Sequence, residues 1–170
     1  MGADNRQPQD RRRRQGLIAA AAAILLVVAL VTLNWPHRGE AWRVIDGDTL
    51  DLGGERIRLF GIDAPERRQS CGPLACGTTA TEALADILSA GPVRCTPVST
   101  DRYGRTVAQC RAGRVDVNRE MVRRGMAWAY RQYGDDYVHD EKAARKARVG
   151  IWKYKSQPAW DYRAEKRTGN

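Results

Sequence analysis

The chain has 170 residues, is 42% hydrophobic, and carries 29 Lys and Arg against 20 Asp and Glu, a net charge of +9. That length suggests one domain with extensions, and the apolar content is enough for a real core. The basic excess favours a polyanionic partner, either nucleic acid or a membrane surface, without deciding between them.

Residues 1–15 are polar and carry the block Arg11-Arg12-Arg13-Arg14. An uncharged stretch, "LIAAAAAILLVVALVTL", then runs from Leu17 to Leu33, followed by Trp35. Seventeen residues at ~1.5 Å each make a helix of ~25 Å, near the lower limit for crossing a bilayer. Residues 16–35 are therefore expected to form an uncleaved transmembrane anchor, with Trp35 at the interface and the arginines in the cytoplasm. The alternative is a cleaved signal peptide and secretion, but "LVTLNWP" is a poor cleavage site. Either way, everything after the linker at residues 36–40 faces outward, periplasmic or extracellular.

From Ala41 a β pattern begins. Trp42, Val44, Leu50 and Leu52 share one parity, and Arg43, Thr49 and Asp51 the other. Gly53-Gly54 is a two-residue hairpin signal, and residues 56–60 make a third strand. Ala80, Leu84, Ile87 and Leu88 then mark a helix, ended by Gly91-Pro92. Two strands follow near 93–99 and 105–111. "DVNREMVRRGMAWA" reads as a second helix capped by Asp116, and "YVHDEKAARKARVGIW" as a third, stopped by Gly150. The order predicts an α+β fold. It would be a five-stranded Greek-key barrel of the oligonucleotide-binding type, with three appended helices, over residues 41–154. Residues 155–170 read as a basic tail. From Glu141 onward, nine Lys and Arg face three Asp and Glu. That surplus is either a solvated face or a contact for a polyanion.

All four cysteines follow the anchor, which suits an exported domain. Cys95 and Cys110 lie about equally far from a turn near Arg102-Tyr103, so they are expected to pair across two strands. Cys71 then pairs with Cys76. Zinc is disfavoured, because His37 and His139 have no ligand-like spacing to the cysteines.

Residues 44–66, "VIDGDTLDLGGERIRLFGIDAPE", hold six acids and two arginines. If the first strand ran on through Gly47, Asp46 and Asp48 would share its buried face. Two carboxylates ~5 Å apart repel by roughly 3 kcal/mol at an effective dielectric of 20. A hard divalent cation relieves that repulsion and takes oxygen ligands. The bland reading of Asp-Gly-Asp is a polar turn that caps its own amides. Asp63 and Glu66 bracket a proline in "DAPE", and Arg58 precedes Asp63 by five residues. An arginine beside such a cluster suits a phosphate, since a guanidinium binds two oxygens at once. A carboxylate at Glu66 can activate a water. "TDRYGR", residues 100–105, offers a second guanidinium at Arg105 and an aromatic face at Tyr103, or else a plain hairpin turn.

Together, "VIDGDT", "RLFGIDAPE", "DRYGR", "VNREMVRRGMAWAY" and "VGIW" resemble the thermonuclease family, the staphylococcal-nuclease-like domain, from about Val44 to Trp152. The resemblance implies that Asp48, Asp63 and the Ala64 carbonyl hold Ca²⁺, with Asp46 supporting them. It makes Glu66 the general base, and Arg58 and Arg105 the pair that grips the phosphate. Tyr103 and Tyr130 match aromatic positions lining the nucleotide pocket. Some members have threonine where this chain has Ala64, which offers only its carbonyl. The loop "ERRQSCGPLACG" carries two cysteines, Cys71 and Cys76, that the best-known member lacks. The implied activity is hydrolysis of DNA or RNA phosphodiesters, single strands favoured, leaving 3′-phosphate ends.

Two other readings compete. One is a membrane-anchored module that binds nucleic acid without cutting it. The other is an anchored envelope protein whose basic tail touches lipid head groups. No protein partner is implied.

Overall fold

A computed structural model describes residues 41–169. The expected basic segment, anchor and linker at 1–15, 16–35 and 36–40 lie outside the described residues. Among the described residues no helix is long and apolar enough to cross a membrane.

The chain enters as β1 (Trp42–Asp46), reverses at Gly47-Asp48 and returns as β2 (Thr49–Leu52). Trp42 pairs with Leu52 and Val44 with Leu50, so the shared parity of these four residues comes from cross-strand pairing. Gly53 and Gly54, at φ 61° and 90°, make the expected tight turn into β3 (Glu55–Leu59). After a short β4 (Ile62–Asp63) comes α1 (Cys76–Leu88), which buries Ala80, Leu84, Ile87 and Leu88 as its spacing predicts. The long hairpin β5 (Val93–Thr100) and β6 (Thr106–Ala112) follows, then β7 (Val115–Asp116). The sheet order is β1-β2-β3-β6-β5, with β7 on the far part of β6. Among the described residues only the β3–β6 pairing is parallel.

The five principal strands of the expected barrel thus stand in one mixed sheet, but no pairing joins β1 to β5 among the described residues, and closure into a barrel is not seen. α1 packs on β1 at one edge. At the other, β5 is exposed beyond Cys95, shifts register between Pro97 and Ser99, and carries a proline with no N–H to donate.

Among the described residues there are also four α-helices, not the three expected. α2 (Val117–Arg123) starts at Asp116, whose carboxylate accepts the Arg119 amide at 3.0 Å. It stops well short of Ala129. Gly125 takes φ 65°, and a Cβ there would meet the Val149 carbonyl oxygen at 2.4 Å. The released segment becomes β8 (Trp128–Ala129), which pairs with β4. α3 (Val138–Ala147) ends at left-handed Arg148, φ 53°, rather than at Gly150, and residues Gly150–Lys153 form a separate 3-10 turn. The expected tail contains α4 (Ala159–Thr168).

Two apolar clusters hold these elements. The larger packs Leu50, Ile57 and Leu59 of the sheet against Leu84 and Leu88 of α1 and Met121 of α2. The smaller joins Trp128, Ile151 and Ala159 to the Cys71–Cys76 bridge, with Trp152 and Trp160 packed on it. Both expected disulfides form, Cys71–Cys76 and Cys95–Cys110, with Cα separations of 5.6 Å and 4.0 Å.

Candidate active site

The reversal between β1 and β2 sets the first carboxylates. The Asp48 amide donates to Asp46 Oδ1 at 3.1 Å, so Asp46 caps the turn. Gly47 lets this turn lie against β4 and α1. A Cβ there would sit 2.7 Å from Ala64 Cβ and 2.8 Å from Ala80 Cβ. Asp48 is buried, and its Oδ2 accepts the Ala64 amide at 2.8 Å. Thr49 Oγ1 donates to its Oδ1 at 3.1 Å.

Pairing then delivers the guanidinium. Thr49 faces Arg58 across β2 and β3, which brings Arg58 alongside Asp48. Arg58 bridges two acids, donating from Nη1 to Asp48 Oδ1 and from Nη2 to Asp63 Oδ1, the latter at 2.8 Å. Asp63 reaches this point because β4 is clamped by β8 and is itself fully buried. Asn118 supports the β3–β4 bend from beneath, donating to the Phe60 and Ala108 carbonyls and accepting the Cys110 amide.

Burial, followed by repulsion from Asp48, pushes the Asp46 pKa up to about 6. Burial likewise pushes Asp63 above the usual carboxylate range, against the pull of Arg163. Burial opposes the charge on Arg58, but Asp48 and Asp63 outweigh it and hold the guanidinium charged.

Glu66 follows on a loop that is tied at several points. The Gln69 amide donates to the Glu66 carbonyl at 2.7 Å, and the Glu66 amide donates to Gln69 Oε1 at 3.1 Å. Gly77 allows the start of α1 to pass this loop, since a Cβ there would lie 1.9 Å from the Glu66 carbonyl oxygen. The Glu66 side chain stays 41% exposed, open to water.

On the opposite wall, Asp101 organises the β5–β6 turn. Its Oδ1 accepts the amides of Tyr103 (2.9 Å) and Arg105 (3.0 Å), and its Oδ2 accepts Arg105 Nε at 2.7 Å. Tyr103 is 70% exposed, with Arg102 and Arg105 over its ring at 4.9 and 5.6 Å. Tyr130 leans on Tyr133 and Trp160, at centroid distances of 5.3 and 5.8 Å.

One cleft of about 420 Å³ is lined by Asp46, Asp48, Arg58, Glu66, Arg105, Tyr103 and Tyr130, along with the Ala64 backbone region. Asp63 does not line it but is bonded to Arg58 and Arg163, which do. So the site residues singled out in the sequence, apart from the bridged cysteines, line this cleft or, in the case of Asp63, bond to the arginines that do.

Sequence reasoning missed three contributors. Arg163, from α4, donates to both oxygens of Asp63 (3.2 and 2.9 Å) and to Glu66 Oε1 at 2.7 Å. No local pattern announces a partner 97 residues away. Asp101 was legible as the first residue of an Asp-x-x-Gly turn. Glu141 is buried on α3, where it accepts the Ala129 amide at 3.1 Å and pairs with Arg131 at 2.9 Å, securing β8 beside Tyr130.

Guanidinium groups beside buried carboxylates, with an exposed carboxylate at the rim, are the donor set of a hydrolase acting on phosphate esters. The comparisons with known proteins agree. A family model described as "Staphylococcal nuclease homologue" matches residues 56–154. A micrococcal nuclease from Shigella flexneri is 40% identical over 144 residues, 74% of this chain and 80% of that protein. An uncharacterized endonuclease from Escherichia coli is 34% identical over 152 residues, 82% of this chain and 96% of that protein. The chain belongs to the staphylococcal nuclease homologue family.

Proposed function

We propose that the chain is a Ca²⁺-dependent, sugar-nonspecific nuclease that hydrolyses DNA and RNA phosphodiesters outside the cytoplasm. The observation that carries this is the convergence of Arg58, Arg105, Glu66 and Asp48 on one cleft, with Asp63 bonded to Arg58 behind its wall.

The donor chemistry fits a hard cation. Asp48 and Asp63 are buried carboxylates whose charge already demands a cationic partner, which Arg58 and Arg163 supply here. Among the described residues no three acidic, histidine or cysteine side chains converge as a finished cage. Asp48, Asp63 and the Ala64 carbonyl would hold the ion, with Asp46 behind them. Bound there, it offsets the charge of the phosphate oxygens.

Arg58 and Arg105 bind the non-bridging oxygens of the scissile phosphate, each able to grip two. Glu66 accepts a proton from a water whose oxygen bonds to phosphorus. The bond from phosphorus to the 5′ oxygen breaks, that oxygen takes a proton from solvent, and a 3′-phosphate and a 5′ hydroxyl are left. Tyr103 and Tyr130 offer faces on which bases stack, which tolerates any sequence and favours single strands.

Two disulfides support an oxidising compartment. Residues 16–35 are proposed to tether the domain to the membrane, and cleavage there would instead release it.

The test is incubation with single-stranded DNA and RNA in Ca²⁺, Mg²⁺ or chelator, with analysis of the product ends. Ca²⁺-dependent cleavage of both polymers to 3′-phosphates is expected. Binding without cleavage in any metal would overturn the enzyme reading and leave a binding module.

A further inference from the structure

A second cleft, of about 690 Å³, opens on the other side of Glu66. Its walls are the Glu66–Arg68 loop, the outer face of α1 at Thr78 and Thr81, and α4 at Tyr162, Lys166 and Arg167. It shares Asp46, Glu66, Arg163 and Arg167 with the first cleft, so the two adjoin at the Glu66–Arg163 pair.

Its charge is unbalanced. Arg163 is neutralised by Asp63 and Glu66. Arg67, Arg68, Lys166 and Arg167 are exposed, and among the described residues none of them is in an ion pair. Lys166 lies over the Tyr162 ring at 4.9 Å, so an aromatic face stands within this cationic wall.

The two basic walls are bolted together. Buried Gln69 takes the Glu66 amide on its Oε1 and donates from Nε2 to the Gln157 carbonyl at 2.7 Å, just ahead of α4. The Cys71–Cys76 bridge closes the same loop, and Ala159 and Trp160 dock α4 on the cluster around that bridge. The two backbone segments that carry these cations are therefore fixed to one another before any ligand arrives. Lys166, Arg167 and Tyr162 also lie beyond residue 154, where the family match ends.

We propose that this second cleft is a binding arm for the polynucleotide strand, gripping phosphates beyond the scissile one through Arg67, Arg68, Lys166 and Arg167. It rests on the nuclease reading and deepens it. A strand lying in the first cleft and passing Glu66 runs directly into this arm. The arm makes the enzyme sensitive to substrate length, and short fragments leave it empty.

The experiment uses the full chain and a variant with Arg67→Gln, Arg68→Gln and Lys166→Gln. None of these three residues lines the catalytic cleft. Binding of a single-stranded 20-mer and of a trinucleotide is measured by fluorescence anisotropy in chelator, over a range of salt. Vesicles rich in anionic lipid form a parallel arm, and a melting curve checks the fold.

The variant is expected to bind the 20-mer at least tenfold more weakly, and its salt slope should fall by about 2, at ~0.7 per phosphate contact on a single strand. Trinucleotide binding should be unchanged. Unchanged 20-mer affinity, or equal losses for both lengths, would overturn the arm while the wild-type chain still cleaves. Loss of vesicle binding with oligonucleotide affinity intact would overturn it in favour of a lipid surface. If the wild-type chain cleaves nothing, the nuclease reading falls, while a length-dependent loss of binding still supports a strand site.

Discussion

Arg163 holds Asp63 through two nitrogens and Glu66 through one, so it stands against one proposed metal ligand and the proposed base at once. Both oxygens of Asp63 are engaged by guanidinium groups. A cation entering beside Asp63 must compete with Arg163 for them. Arg163→Gln is therefore expected to bind Ca²⁺ more tightly in calorimetry. The gain should be about fivefold, the scale of one partly exposed ion pair worth about 1 kcal/mol. Unchanged or weaker affinity would show that the arginine and the ion do not share Asp63. Gly47 matters at the same scale. A methyl at that position would collide with Ala64 and Ala80, and the turn carrying Asp46 and Asp48 would have to move. Gly47→Ala is expected to cost about 1–3 kcal/mol by overpacking, read as a lower melting temperature.

At the scale of elements, α4 is the part least legible in advance. Residues 155–170 look like a solvated basic tail, because their charges dominate and only Ala159 is fully buried within the helix. The structure attaches the helix by a few large contacts instead. Trp160 packs edge-on to Trp128 at 6.2 Å and against Tyr130. Trp160→Ala is expected to cost about 2 kcal/mol, less than a fully buried tryptophan, since its side chain is half-buried. Hydrogen exchange should then speed up across Ala159–Thr168 with little change in β2 and β3. Uniform acceleration over the whole domain would mean that α4 is not a separately docked element. The other elements divide along physical lines. α1 was readable because its apolar spacing faces one core. α2 was read too long because Gly125 acts through a distant contact with Val149, which no local pattern reveals. The site residues of the β1–β4 region were legible because short turns and strand register bring them together, whereas Arg163 arrives through tertiary packing alone.

For the whole molecule, the proton balance at high pH is informative. Tyr137 is buried beneath the bend before Asp63, its ring where a Gly61 Cβ would sit 2.8 Å away. Burial, with Asp116 and Asp136 nearby, pushes its pKa up to about 12. Its contribution to stability is fully present below pH ~10, the unfolded value, and is lost as pH rises through about 12. The wild-type chain should therefore lose more stability over that window than Tyr137→Phe does. Parallel denaturation curves for the two proteins would contradict this. The sheet also separates what pattern reveals from what it does not. Alternation and turns mark the strands and the hairpins that join β1, β2 and β3, but the parallel β3–β6 pairing is a long-range contact that no local pattern announces.

In the proposed reaction Glu66, on its tethered loop at the rim of the cleft, takes the proton from water. Single-turnover cleavage of a single-stranded DNA in Ca²⁺ by the wild-type chain and by Glu66→Gln, alongside oligonucleotide affinity in chelator, tests this role. The rate should fall by about 10²–10⁴-fold with affinity nearly unchanged, the loss typical for a missing general base. Equal rates for the two proteins would contradict it.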